Sequence, residues 1–249
     1  MDSFDRLLSE AIDAMGESAN PSLDEEREAF DAAHPETPML TLLALPPISD
    51  RAVGLIVAFE VTSEASYEKR YRHPIWPQGQ SGVTIGIGYD IGYVTVAQLE
   101  RDWAPCINAA AVAALKHVCG VKGANAGQAL AGVHDVDVPF SAANAVFKNT
   151  TIPRVTAQIV AALPGVETLS PDSLGALVSL VYNRGASFSL EGERYKEMRV
   201  IKADIAASKY SDIPAQLRSM KRLWQDKPNM AGLLRRRELE AIVFQDGLA

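Results

Sequence analysis

From Arg51 to the C-terminus, apolar residues recur mainly at three- and four-residue steps, the repeat of a helix that buries one face. "RAVGLIVAFEVTSEASYEKRY" opens this region and puts Val53, Ile56, Val57 and Glu60 on one stripe, so the apolar face ends in an acid. Further helices are predicted from "TVAQLERDW", "SAANAVFKNT", "IPRVTAQIVAAL", "SPDSLGALVSLVYNRG", "YKEMRVIKADIAAS", "DIPAQLRSMKRLW" and "MAGLLRRRELEAIVFQDG". Thr95 and Gln98 have capping-box spacing, Ser170 before Pro171 marks a helix start, and Gly185 and Gly247 mark stops. Only "GVTIGIGYD" alternates like a strand, and its glycines shorten it. One small sheet among many helices predicts an α+β fold with the strands confined to one lobe.

At 249 residues and 47% hydrophobic composition, the chain can bury a substantial core without a disulfide or metal staple. Cys106 and Cys119 form no CxxC pair, and His34, His73, His117 and His134 are scattered, which argues against a zinc site. The acidic start lacks the basic and apolar pattern of a secretory signal, so synthesis in the cytoplasm without a signal peptide is expected. "MLTLLALPP" and "AVGLIVAF" are about half the ~20 residues of a membrane span, so no span is expected.

Charge divides the chain. Residues 1–50 hold twelve acidic against two basic side chains, and the remainder holds twenty-two basic against nineteen acidic. The expectation is an acidic N-terminal arm or linker over residues 1–50, loosely packed, with order reaching down to about Pro38, and one main domain over 51–249. A basic stripe interleaved with aromatics is absent, so nucleic acid is not an expected partner.

Two carboxyls carry the candidate chemistry. Glu60 follows "LIVAF", surroundings that would raise its pKa and keep a proton available, as a general acid requires. Asp90 follows Gly86, Gly88 and Tyr89, a turn whose backbone amides could hold a carboxylate ionised. Carboxyls in contrasting environments suit cleavage of a glycosidic bond, one protonating the leaving oxygen and the other serving as base or stabilising the developing cation. Thr84 lies six residues before Asp90, an even offset that puts both on one face of a strand, where a hydroxyl could orient water. The same residues fit plainer roles. Glu60, Glu64 and Glu68 step by four like a solvated helix edge, and Asp90 beside glycine suits a turn.

"AFE" at 58–60, "GVTIGIGYDIG", "ALVSLVYNRGAS" at 176–187 and "GLLRRRELEAIVF" at 232–244, in that order, resemble the phage-lysozyme superfamily, glycoside hydrolase family 24 and its relatives. The similarity covers about residues 50–249. The usual phage pattern places an Asp or Cys nine residues after the glutamate and a Thr six later, where this chain has Lys69 and Ile75. The order Glu60, Thr84, Asp90 instead resembles the pesticin-like branch of bacterial toxins.

That resemblance implies a lysozyme-like muramidase over residues 51–249, cleaving the β-1,4 bond between N-acetylmuramic acid and N-acetylglucosamine without metal or other cofactor. Glu60 is then the acid, Asp90 the second carboxylate and Thr84 its water-positioning neighbour, with inversion the implied outcome. Asn183 matches a place where family members present a polar group to sugar, the alternative being a helix end satisfied by its amide. Tyr89 could line a cleft or pack inside. Arg184 could bind a peptidoglycan carboxylate or offset a helix dipole. Arg235, Arg236 and Arg237 read as a solvated helix face rather than a substrate clamp, and Trp76 as packing rather than a sugar platform. Peptidoglycan is the expected partner, reached through a phage holin or a secretion or injection apparatus, with a periplasmic immunity protein if the chain is a toxin. A lytic transglycosylase needing one acid, and an inactive wall-binding module of the same fold, are the alternatives.

Overall fold

The computed structural model describes residues 3–15, 45–228 and 230–249. Most of the acidic arm, and the expected order down to Pro38, lie outside them. The described residues are mostly helical, with one two-stranded antiparallel sheet, an α+β arrangement. Contacts divide the chain into two compact units, one of residues 1–59 with 153–249 and the other of 60–152, rather than at residue 50.

Among the described residues, the first unit contains helices and no strand. Its first helix, α1 (Ser3–Met15), buries Phe4 and Ala11, and the Arg51 guanidinium lies 4.2 Å from the Phe4 ring centroid. This corrects the loosely packed arm for these residues: an amphipathic helix is docked there. The second helix, α2 (Asp50–Val61), begins in this unit and has an apolar run from Leu55 to Phe59 that is mostly buried. Another helix, the fourth from the C-terminal end, runs Pro171–Arg184. It starts where Ser170 Oγ accepts from the Ser173 amide at 3.2 Å, carries proline in its first turn, and stops at Gly185 with φ of 71°. Every residue from Ser173 to Val181 is buried, the pattern of a helix surrounded on all sides. Gly175 makes that possible, since a Cβ there would fall 2.2 Å from the Ala52 Cβ. The last helix, Ala231–Asp246, packs against the Pro171–Arg184 helix, the Ile213–Ser219 helix and α1. Its stop, Gly247, is not left-handed. Glycine is needed there because a Cβ would meet Ser170 and Ser173 Oγ at 2.4 Å.

In the second unit, α2 ends at Val61, one residue past the acid that ends the apolar stripe. Thr62 takes a left-handed φ of 67°, and Ser63 caps a new helix, α3 (Glu64–Arg70), through an Oγ that accepts from the Ser66 amide at 3.1 Å. Tyr67 of α3 is fully buried, donates to the Val138 carbonyl at 2.8 Å and meets Phe140 edge-on. After the hairpin described below, α4 (Val96–Trp103) opens with the predicted capping box of Thr95 and Gln98. It is followed by α5 (Ala109–Lys116), α6 (Ala124–Ala129) and α7 (Phe140–Val146), the last running into a wider turn over Phe147–Thr151. The remaining helices, all in the first unit apart from the opening residue of α8, are α8 (Ile152–Ala162), α9 (Pro171–Arg184), α10 (Lys196–Ala206), α11 (Ile213–Ser219) and α12 (Ala231–Asp246).

Candidate active site

Glu60 is the penultimate residue of α2 and is half-buried. The break at Thr62 separates it from Glu64 and Glu68, so these three do not form one helix edge. Glu68 has its own structural work. Its Oε1 accepts from the Phe140 amide at 2.9 Å and its Oε2 from Arg72, which also forks onto Asp137. The Phe140 amide, then the Arg72 guanidinium, hold Glu68 below its ordinary value, and Arg72 does the same for Asp137.

The glycine-rich stretch folds as a hairpin of β1 (Thr84–Ile85) and β2 (Tyr89–Asp90), closed by Gly86 and Gly88 at φ of 60° and 67°. Left-handed φ is the reason for both glycines. Thr84 and Asp90 are register partners, so they share a face across two strands rather than along one. Thr84 is also bridged to Ile75 on its other side, which fixes its backbone from both edges, and its side chain is half-buried.

Asp90 is only 5% exposed. Both of its oxygens accept from the Gly82 amide, at 3.0 and 3.1 Å, and Oδ1 also accepts from the Gly92 amide at 2.8 Å. The carboxylate is therefore clasped by backbone that flanks the two strands at the open end of the hairpin, before β1 and after β2. The donors are Gly82 and Gly92, not the expected amides around Gly86 and Gly88. Those two glycines are dictated by contact: a Cβ on Gly82 would lie 2.4 Å from the Gly92 backbone, and one on Gly92 would lie 2.7 Å from the Gly82 Cα.

Tyr89 faces inward. It is 5% exposed, its ring meets Trp103 edge-on at 5.4 Å, and its hydroxyl donates to Asp102 at 2.8 Å. Of its two expected places, cleft wall or packing, it takes the second, because the pleat that turns Asp90 one way turns its neighbour the other. Asp102 was not apparent as a partner in the sequence, where it reads as one more helix charge.

In the first unit, Asn183 Oδ1 accepts from Arg237 at 3.1 Å, and Arg184 is 1% exposed, donates to the Arg194 carbonyl and stacks 5.1 Å from the Trp224 ring centroid. Arg184 is thus a core residue rather than a surface group for a peptidoglycan carboxylate. The solvated face expected of the arginine run is also corrected, because Arg236 and Arg237 are fully buried with Glu240. Glu240 Oε1 accepts from Ser179 Oγ at 2.6 Å, from Arg237 at 2.8 Å and from Arg236 at 3.3 Å. Arg236 also donates to the Ser179 carbonyl at 3.1 Å, which locks α12 onto α9.

The second unit also contains an open pocket of about 490 Å³, lined in part by Trp76, Gln78, Gln80, Lys122 and Asn125. Among the described residues, no cluster of three metal-ligating side chains occurs, and no helix is long and apolar enough to cross a membrane. A family model described as a domain of unknown function, DUF8812, matches residues 56–161, a stretch that contains the whole second unit with Glu60, Thr84, Tyr89 and Asp90. No curated protein matches the chain.

Proposed function

We propose that the protein is a lysozyme-like muramidase that cleaves the glycan strand of peptidoglycan, with Glu60 as general acid. The observation that carries this reading is the hairpin. The threonine and aspartate that the family resemblance assigns to the water and the second charge are register partners across two short strands. The break after Glu60 adds support, since it removes the explanation of that glutamate as part of an acidic helix edge. In this reading Glu60 protonates the glycosidic oxygen as the bond breaks, Thr84 orients the water that attacks the anomeric carbon, and Asp90, held in place by two amides, stabilises the developing cation and takes the proton the water gives up. General acid catalysis of this kind contributes about 10²–10⁴-fold. The protein would act in the periplasm or cell wall of a target cell, as an antibacterial effector or an endolysin, after delivery by a separate apparatus.

One observation favours a second reading. With both oxygens engaged by amides and little exposure, Asp90 is poorly placed to take a proton from water. A lytic transglycosylase needs only the acid: Glu60 would protonate the leaving oxygen and then accept the proton of the substrate's own 6-hydroxyl as that oxygen closes on the anomeric carbon. Mass analysis of muropeptides released from purified peptidoglycan separates the two. Hydrolysis adds one water to each cut and supports the muramidase, whereas anhydro ends replace it with the transglycosylase. Release of neither product, from folded protein, removes both.

A further inference from the structure

The lining of the pocket in the second unit does not include Glu60, Thr84 or Asp90, and it has a consistent chemistry. It offers one indole from Trp76, three carboxamides from Gln78, Gln80 and Asn125, and one ammonium from Lys122, with no carboxylate among the lining residues. Amides pair with hydroxyl and acetamido groups, an indole covers the apolar face of a pyranose, and an ammonium attracts an anion.

Its walls are fixed before any ligand arrives. The Trp76 indole donates to the Ser81 carbonyl at 3.0 Å, and its six-membered ring lies where any side chain at position 127 would fall, 2.5 Å from a Cβ built on Gly127. Lys122 Nζ sits 3.5 Å from the Tyr93 ring centroid, and the Tyr93 hydroxyl donates to the Gln80 carbonyl. The two walls are tied to each other by the bridge between Gly82 and Lys122 and by the Gly123 amide donating to the Ser81 carbonyl at 3.1 Å. Gly82 is the residue clasped by Asp90, so the pocket and the hairpin share one frame. Gln80 is four residues from Thr84, at most ~14 Å of extended chain, within reach of a short oligosaccharide.

We propose that this pocket binds an acidic N-acetylated sugar, the N-acetylmuramic acid unit with its lactyl carboxylate at Lys122. The proposal rests on the reading of the protein as a glycan-cleaving enzyme, and adds a binding site outside the reacting residues. It predicts a preference for muramic acid over neutral amino sugars at a position outside the reacting residues.

The test uses fluorescence. Trp103 and Trp224 are 0% and 2% exposed, so Trp76 is the tryptophan whose emission a soluble ligand changes by contact. The full chain is titrated with the disaccharide of N-acetylglucosamine and N-acetylmuramic acid, and separately with neutral diacetylchitobiose. The expected result is a saturable emission change with the acidic disaccharide, weakened at least tenfold in Lys122→Gln and also weakened in Asn125→Ala. Chitobiose should bind more weakly and be indifferent to Lys122→Gln. Both replaced side chains are exposed, and circular dichroism checks that each variant is folded. No saturable change in the wild type, or wild-type affinity in Lys122→Gln, overturns the proposal. The two readings fail separately: sugar binding by a chain that clears no peptidoglycan removes the enzyme and keeps the pocket, and clearing with no sugar bound near Trp76 removes the pocket and keeps the enzyme.

Discussion

Two buried carboxylates, one in each unit, are held by opposite means. Asp90 is satisfied by backbone amides of Gly82 and Gly92, residues that lie within ten positions of each other. Glu240 is held by side chains, two arginines of its own helix and a serine of α9, all of them on Oε1. The first arrangement needs glycine wherever backbone comes close. The second needs no special backbone, but it takes three charged groups out of water and requires each to be paired. A carboxylate held by amides keeps its geometry through local chain conformation, whereas one held by arginines ties distant helices together.

The largest effect is expected in the ionic cluster. Glu240→Gln removes the buried negative charge that Arg236 and Arg237 share, and should cost about 3–5 kcal/mol of stability by urea unfolding. A loss under 1 kcal/mol would show that the cluster is hydrated in solution. Gly82→Ala comes next. Its Cβ would overlap the Gly92 backbone, which a side-chain rotation cannot relieve, so the cost should reach about 3 kcal/mol, the upper part of the range for overpacking.

Asp90→Asn sharpens the comparison further. It turns one acceptor into a donor facing backbone amides and should cost about 2 kcal/mol, within the range for hydrogen bonds to a charged group. Its clearing activity per folded molecule then assigns the residue. Loss of activity beyond the unfolded fraction makes Asp90 part of the chemistry, and full activity in the folded fraction leaves it as a clasp for the hairpin.

The smallest effect concerns exposed charges. Glu68 and Asp137 are held below their ordinary values of 4.5 and 3.8, so the folded state binds fewer protons than the unfolded one across that range. The stabilisation they give is complete above about pH 5 and is lost as pH falls through the depressed values. The melting temperature of the wild type should therefore drop between pH 5 and pH 3 more steeply than that of Arg72→Ala. Parallel profiles would mean that the Arg72 pairs do not form in solution.

What the sequence made legible follows the same division. The capping box at Thr95, the start at Ser170 and the turn at Gly86 and Gly88 could be read because each depends on neighbours a few residues away, whereas the single strand expected through that turn is in fact a hairpin. Thr84 and Asp90 could be placed on one face, although by a strand offset rather than by the cross-strand pairing that puts them there. The left-handed turn at Thr62 was hidden because threonine carries no mark of one, although the apolar stripe ends at Glu60. Arg184, Arg236 and Arg237 were hidden because guanidinium groups normally stay at the surface, and the acceptors that let them be buried lie up to 57 residues away. Lys122 and Asn125 reach the pocket only through the bridge between Gly82 and Lys122, a contact that no local pattern announces.

The assignment of Glu60 as the acid is tested most directly by turbidity clearing of purified peptidoglycan with wild type and Glu60→Gln, each shown to be folded. The expected result is clearing by the wild type and a loss of at least about 10²-fold in Glu60→Gln with no change in melting temperature beyond a few degrees. Equal clearing by the two proteins would contradict the account.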